Sequence, residues 1–472
     1  MNNAEMAELE KGAERIWEMA LEMGIDPFPT HFDVVPATIM YEFGAYGIPG
    51  RFSHWTHGRA YQQIKTMYDY GLSRIYELVI NADPAYAFLL ENNSVLQNKL
   101  VVAHVLGHTD FFKHNAFFKG TSRQMVEMVS VHAERIRQYE FEHGREAVEE
   151  LLDAILSIQE HIDPYPNLRR RERAEPEKPV RPRELAYDDL FYLGSEKRPE
   201  PPAPVRKNPA EPEKDLMLFV AEYGRELEDW QRDVLHMIRQ EQLYFVPQMQ
   251  TKIMNEGWAA YWHVRIMREL DLSQDEYMQF AELHANVLAP SRRSINPYHV
   301  GLKIWEDIER RWDSPTTEER EKLGRRGGEG RAKIFEVREQ ENDASFLRNY
   351  LTKDLVEELD LYLYKYENGK WVIVEKDWEK VRDVILRGMT NFGQPYIVVE
   401  DGDYNRNHEL FLRHCYEGQD LDMDYADRTL RHIYSLWGRT VHLETVLDDK
   451  TVVLTYDGDR ARTKVGEAAQ AS

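Results

Sequence analysis

Two histidines four residues apart, His104 and His108, sit in the stretch NKLVVAHVLGHTDFFKHN (98–115), whose apolar positions repeat with a helical period. Side chains at i and i+4 leave one face of a helix about one turn apart, so two imidazoles in this register can address a single ion. The position after the first is Val105, so this pair brings no glutamate of its own to act as a base. A second string, TKIMNEGWAAYWHVRIM (251–267), offers Glu256, and His263 follows seven residues later, two helical turns on and on the same face. Two imidazoles and a carboxylate from separate helices are three ligands of the kind zinc accepts. Iron or manganese held in a helical bundle by Glu and His is the alternative. With Val105 inert, a base must come from elsewhere, and Glu42, Glu91 and Glu241 are the candidates.

The rest of the chain must position these groups. Its 472 residues suffice for two or three domains, and 42% hydrophobic content with 11% aromatics supports a sizeable core. A formal charge of -23 argues against nucleic acid or an anionic membrane as a general partner. The first residues, MNNAEMAELEKGAERIWEMALEMG, are acidic and amphipathic with no signal-peptide pattern, and no apolar run reaches a transmembrane length. A single cysteine, Cys415, excludes an internal disulfide framework. Together these features predict a cytoplasmic protein without a transmembrane segment.

Proline marks the main division. Eleven of the 21 prolines fall between residues 164 and 215, which excludes continuous helix and predicts an extended strap, with ELAYDDLFYLG (184–194) apolar enough to dock on a domain. Helical periodicity precedes the strap at 5–23, 58–80, 95–114, 121–143 and 145–161, and follows it at 215–242, 247–270, 273–287 and 298–313. Thr121 and Gln124 stand in capping-box spacing. From about 355 the period changes to strands: LYLYKYENGKWVIV is a hairpin around Asn368-Gly369, and the order that follows is ββα-ββα-ββ.

The predicted organisation is therefore a mainly α-helical body, with a zincin-like arrangement as one reading, and a C-terminal α+β domain built on an antiparallel sheet of ββα repeats. Its parts are 1–163 and 216–350 in the body, the strap 164–215, the α+β domain 355–460, and a disordered tail 461–472.

Bland readings weigh against several residues. His132 lies on an apolar helical stripe and reads as a satisfied core histidine; Trp258 and Trp262 at helical spacing read as core before they read as a sugar platform. RRRER (169–173) reads as solvated charge, and SHWTHG (53–58) as a turn as readily as a ligand pair.

The string Asn255-Glu256-Gly257-Trp258-Ala259 resembles the third-ligand helix of gluzincin metallopeptidases, in which two helix histidines and that glutamate hold zinc. The chain departs from them at Val105 and in the 148 residues separating His108 from Glu256. Nearly the whole length resembles the SpoVR family, through HFDVVPATIMYEFGAYGIPGRFSHWTHGR (31–59), YELVINADPAYAFLLENN (76–93), AHVLGHTDFFKHN (103–115), DVLHMIRQEQLYFVPQMQTKIMNEGWAAYWH (233–263), INPYHVGLKIWEDI (295–308) and KIFEVREQENDASFLRNYLT (333–352). The motif positions present are Glu42, His54, Trp55, Asn92, Asn93, His104, His108, Asn115, Glu256 and His263. The resemblance implies a role in spore cortex (peptidoglycan) formation, with relatives also outside spore formers, and adds His54 to His263 as a further candidate ligand.

Two functions follow. In the first, His104, His108 and Glu256 hold zinc or another divalent metal and the protein hydrolyses an amide bond. In the second, the cluster is structural and the protein is a non-catalytic scaffold recruiting protein partners during spore assembly.

Overall fold

Ser94 opens the histidine-bearing helix with a capping box: its hydroxyl accepts from Gln97 N (3.2 Å), while its own N–H donates to Gln97 Oε1 (2.8 Å). The helix then runs Val95–His114, the span its periodicity predicted. The computed structural model describes residues 1–70, 77–165, 208–290, 294–367 and 369–465. Most of the expected strap, with its apolar and RRRER segments, and residues 466–472 of the expected tail lie outside the described residues, whereas 461–465, expected as disordered tail, form a strand. The chain divides into two compact units, Met1–Leu152 with Gln240–Gln394, and Asp153–Arg239 with Pro395–Ser472.

The first unit is mainly helical. Helix Lys252–Glu269 is almost wholly buried and packs against both Val95–His114 and Pro297–Asp313. Helix Asn3–Glu22 covers the histidine helix, and Gly330–Gln340 covers Pro297–Asp313. Trp258, Trp262, Trp305 and Phe346 are fully buried, so the tryptophans belong to the core, as their spacing suggested. Glycines set how closely the three central helices approach. A Cβ on Gly107 would lie 2.6 Å from Ala259 Cα, and a Cβ on Gly257 would overlap the backbone of Gly301 on the next helix.

Under this layer Asp110, fully buried, ties four segments together. Its carboxylate accepts from Arg338 Nη1 (2.9 and 2.8 Å), from Trp258 Nε1 (2.8 Å) and from Asp26 N (2.9 Å). Asp110→Ala strands the buried Arg338 guanidinium and is expected to cost about 3–5 kcal/mol in urea denaturation. Asp110→Asn, which keeps an acceptor, should fall between.

This unit also holds a three-stranded sheet that the helical reading missed, β1 (Thr30–Val35), β2 (Glu77–Ile80) and β3 (Ala85–Leu90) in the order β1-β3-β2, with β1 parallel and β2 antiparallel to β3. The helix expected over 58–80 is Trp55–Asp69, with β2 in the place of its last residues. Thr121 does not open the next helix: it is the C-cap of the preceding 3-10 helix, its N–H donating to Phe118 O, and the next helix begins at Met125 with Gln124 at its N-cap. The single helix expected over 215–242 is broken at Gly224 into Leu216–Tyr223 and Asp229–Gln250, the latter taking in Pro247.

Hairpin β4 (Leu363–Glu367) and β5 (Lys370–Glu375) forms as predicted, with Gly369 at φ +79°, and precedes helix Trp378–Gly388; all three fall in the first unit. In the second unit β6 (Ile397–Tyr404), β7 (Glu409–His414), β8 (Val441–Leu447), β9 (Lys450–Tyr456) and β10 (Ala461–Val465) make one sheet, ordered β10-β9-β8-β7-β6. The sheet is mixed: β7 and β8 pair in parallel because helix Met423–Trp437 supplies a crossover between them, and the other neighbours are antiparallel. Among the described residues no helix is long and apolar enough to cross a membrane.

Candidate metal centre

Helix Lys252–Glu269 receives its orientation at its first turn. Asp343 accepts from Ile253 N (2.8 Å) and Met254 N (2.9 Å), satisfying donors that a helix start leaves open. Burial, with the charge of Glu256 nearby, pushes the Asp343 carboxyl up to about 7. The Asp343 cap holds Glu256, on the following turn, against the histidine helix.

There Glu256 Oε2 lies 3.4 Å from His108 Nε2 and 3.7 Å from His104 Nε2. The two imidazoles stand perpendicular, ring centres 4.7 Å apart, and are 3% and 4% exposed. Glu77, at the start of β2, reaches the same point: its Oε1 is 3.7 Å from His104 Nε2, and Glu77, His104 and His108 offer ligand atoms all within 4.8 Å of one another. This group has the donor types and spacing that could hold a metal ion. His104 Nε2 and Glu256 Oε2 are buried and form no hydrogen bond, an arrangement costly for polar atoms. Burial raises the Glu256 pKa, but the two imidazoles facing it outweigh burial and hold the carboxyl well below its usual range. For His108 burial lowers the pKa and the Glu256 carboxylate more than reverses it, so the net shift is upward.

The far sides of the rings are engaged. His108 Nδ1 lies 2.9 Å from Asn255 Oδ1, and His104 Nδ1 lies 2.9 Å from His263 Nδ1, whose Nε2 is 3.0 Å from His284 Nδ1. Burial, reinforced by the neighbouring histidines, keeps His263 well below its ordinary pKa, and burial lowers His284 to about 4. Tyr298, at the start of Pro297–Asp313, stacks on His104 with ring centres 5.8 Å apart, and burial, followed by Glu256 and Glu77, pushes its hydroxyl pKa far up. A cavity of about 240 Å³ opens on this side, lined by Glu77, His104, His263 and Tyr298 and by the aliphatic Leu100, Leu283 and Val287.

Of the residues singled out in the sequence, His104, His108 and Glu256 meet, and His263 backs His104. The others stand elsewhere. Glu241 is fully buried between Arg51 Nε (2.8 Å) and His132 Nδ1 (3.0 Å), which also makes His132 the satisfied core histidine anticipated. Glu42 is exposed on helix Ala37–Tyr46, and Glu91 is exposed at the end of β3. His54 caps helix Trp55–Asp69, accepting from Thr56 N. Among the described residues, none of these four joins the cluster or lines its cavity.

Sequence reading assigned no role to Glu77, Tyr298 or His284. Glu77 had a signal: Gly71 stops a helix, and ELVI, then NADP, then AYAFLL is a strand-turn-strand pattern. Tyr298 and His284 carry no local signal, since packing alone brings them to the cluster.

Fold and cluster thus define a mainly helical protein with an α+β C-terminal part and a His/His/Glu group that could hold a metal ion. The chain belongs to the SpoVR family: the family described as SpoVR like protein matches residues 3–394, and the SpoVR-like C-terminal domain matches residues 395–448. The junction at 394/395 is also where the chain passes between its two units. The chain is 27% identical over 461 residues to the "Uncharacterized protein YcgB" of Escherichia coli (strain K12), covering 91% of this chain and 90% of that protein. No solved structure matches.

Proposed function

We propose that this chain is a divalent-metal-dependent hydrolase of a carbonyl-centred bond, an amide foremost, with His104, His108 and Glu256 as the ligands. The observation that carries the reading is the convergence of buried, unsatisfied His104 Nε2 and Glu256 Oε2 with His108 and Glu77. A divalent ion bound there would supply Lewis acidity toward the carbonyl and toward water. Zinc fits three such ligands, and a set that includes a carboxylate also suits iron or manganese.

Glu77 is the residue we assign as general base. It lines the cavity, whereas Glu256 does not, and it supplies the carboxylate missing at Val105, a side chain sealed in the core. Tyr298, its proton held by burial beside two carboxylates, would donate a hydrogen bond to the carbonyl oxygen of a substrate. The family resemblance supports a substrate among peptidoglycan precursors and action in the cytoplasm. Val105 favours the second reading, a non-catalytic scaffold for spore-assembly partners. Elemental analysis of purified protein separates them: about one divalent ion per chain, retained in Glu77→Gln but lost in Glu256→Ala, supports the hydrolase, and protein free of metal after metal-supplemented purification refutes it.

The histidine chain supports a positioning role behind the ligands. If Nε2 of His104 faces the ion, its Nδ1–H donates to His263 Nδ1, and His263 Nε2–H in turn donates to His284 Nδ1. His284→Phe removes the last acceptor and is expected to weaken metal affinity about 10–100-fold by competition titration. His284→Gln, which keeps an acceptor, should restore most of it.

A further inference from the structure

We infer that the substrate carries an aliphatic substituent on the carbonyl side of the bond to be cleaved, and that this substituent fills the cavity beside His104. The inference rests on the hydrolase reading above. A cavity of about 240 Å³, partly open to solvent, is large enough to take a short hydrocarbon chain. Its lining is of two kinds: Glu77, His104 and His263 belong to the cluster or back it, and Leu100, Leu283 and Val287 present only hydrocarbon. Gln97, the remaining polar lining residue, spends its amide oxygen on the Ser94 capping box. The Tyr298 ring, stacked on His104, completes the lining. A carbonyl placed against His104 and Glu77 therefore has its substituent within reach of Leu100, Leu283 and Val287, whose hydrocarbon favours an aliphatic group over a polar one.

The test uses straight-chain hydroxamates as probes, from acetohydroxamate to octanohydroxamate, titrated by calorimetry into full-length protein carrying its metal, with metal content measured first. Each methylene buried should tighten binding about threefold to fourfold until the cavity is full. Leu283→Gln should flatten the chain-length dependence while leaving acetohydroxamate affinity within about twofold. A series in which all chains bind equally to metal-loaded protein would overturn the inference and leave the hydrolase reading intact. Protein that takes up no metal would overturn both.

Discussion

Glu256→Ala is expected to abolish the stabilisation that divalent metal confers, and His104→Ala to do the same. Metal bound only by the folded state stabilises it by mass action, about 2.7 kcal/mol at a free concentration 100 times Kd, and removing either ligand takes that increment away. Calorimetric melting with and without metal reads it directly: a rise of several degrees in the wild type, none in either variant. The pH dependence has a sign. Without metal, Glu256 and His108 stabilise each other; the lowered Glu256 pKa contributes above its unfolded value of 4.5 and is lost as pH falls. The raised His108 pKa contributes below its unfolded value of 6.5 and is lost as pH rises. The metal-free pair is therefore most stabilising between about pH 4.5 and 6.5. Metal, which needs neutral imidazoles, should stabilise increasingly above that window. A metal increment unchanged by Glu256→Ala would remove Glu256 from the ligand set.

Gly257→Ala is expected to be among the most damaging single-methyl additions in the molecule. The added Cβ would fall within the backbone of Gly301, which has no side chain to rotate away, so helices Lys252–Glu269 and Pro297–Asp313 must separate. Overpacking of this kind costs about 1–3 kcal/mol, and more where backbone must move. Gly107→Ala should behave alike against Ala259, displacing the helix that carries His104 and His108. Gly58 provides the contrast. It lies exposed within helix Trp55–Asp69 with open space around it, and Gly58→Ala should stabilise by about 0.5–1 kcal/mol through helix propensity. Urea denaturation of the three variants tests the ordering, and a harmless Gly257→Ala would show that the helices are not held at glycine distance.

The sequence was most legible where one local signal dominates. Helical period placed helix Val95–His114, and residue type with spacing picked out His104, His108 and Glu256. Glu77 escaped because β2 has only four residues, too few to show a period of two, so the glycine and the NADP turn that bracket it carried less weight than the helical period before them. Glu42, Glu91 and Glu241 were chosen by type alone, and nothing local reveals that Glu241 is already committed to Arg51 and His132. The parallel β7–β8 pair was equally hidden, because strand order follows from a crossover and not from the strands' own residues.

The order of the ligands along the chain bears on how the cluster is assembled. His104 and His108 lie in the first stretch of their unit, and the chain then leaves it for residues 153–239 before returning with Glu256. On a ribosome adding about 5–20 residues per second, the 148 positions from His108 to Glu256 take roughly 7–30 s, during which the imidazoles exist without their buried carboxylate. Joining the two stretches also closes a long loop, with an entropic cost that grows only slowly with the length of the excursion. On the proposed metal reading, ion acquisition would be a maturation step that follows closure of the whole unit, with the nascent histidine pair a different and weaker binder than the finished site.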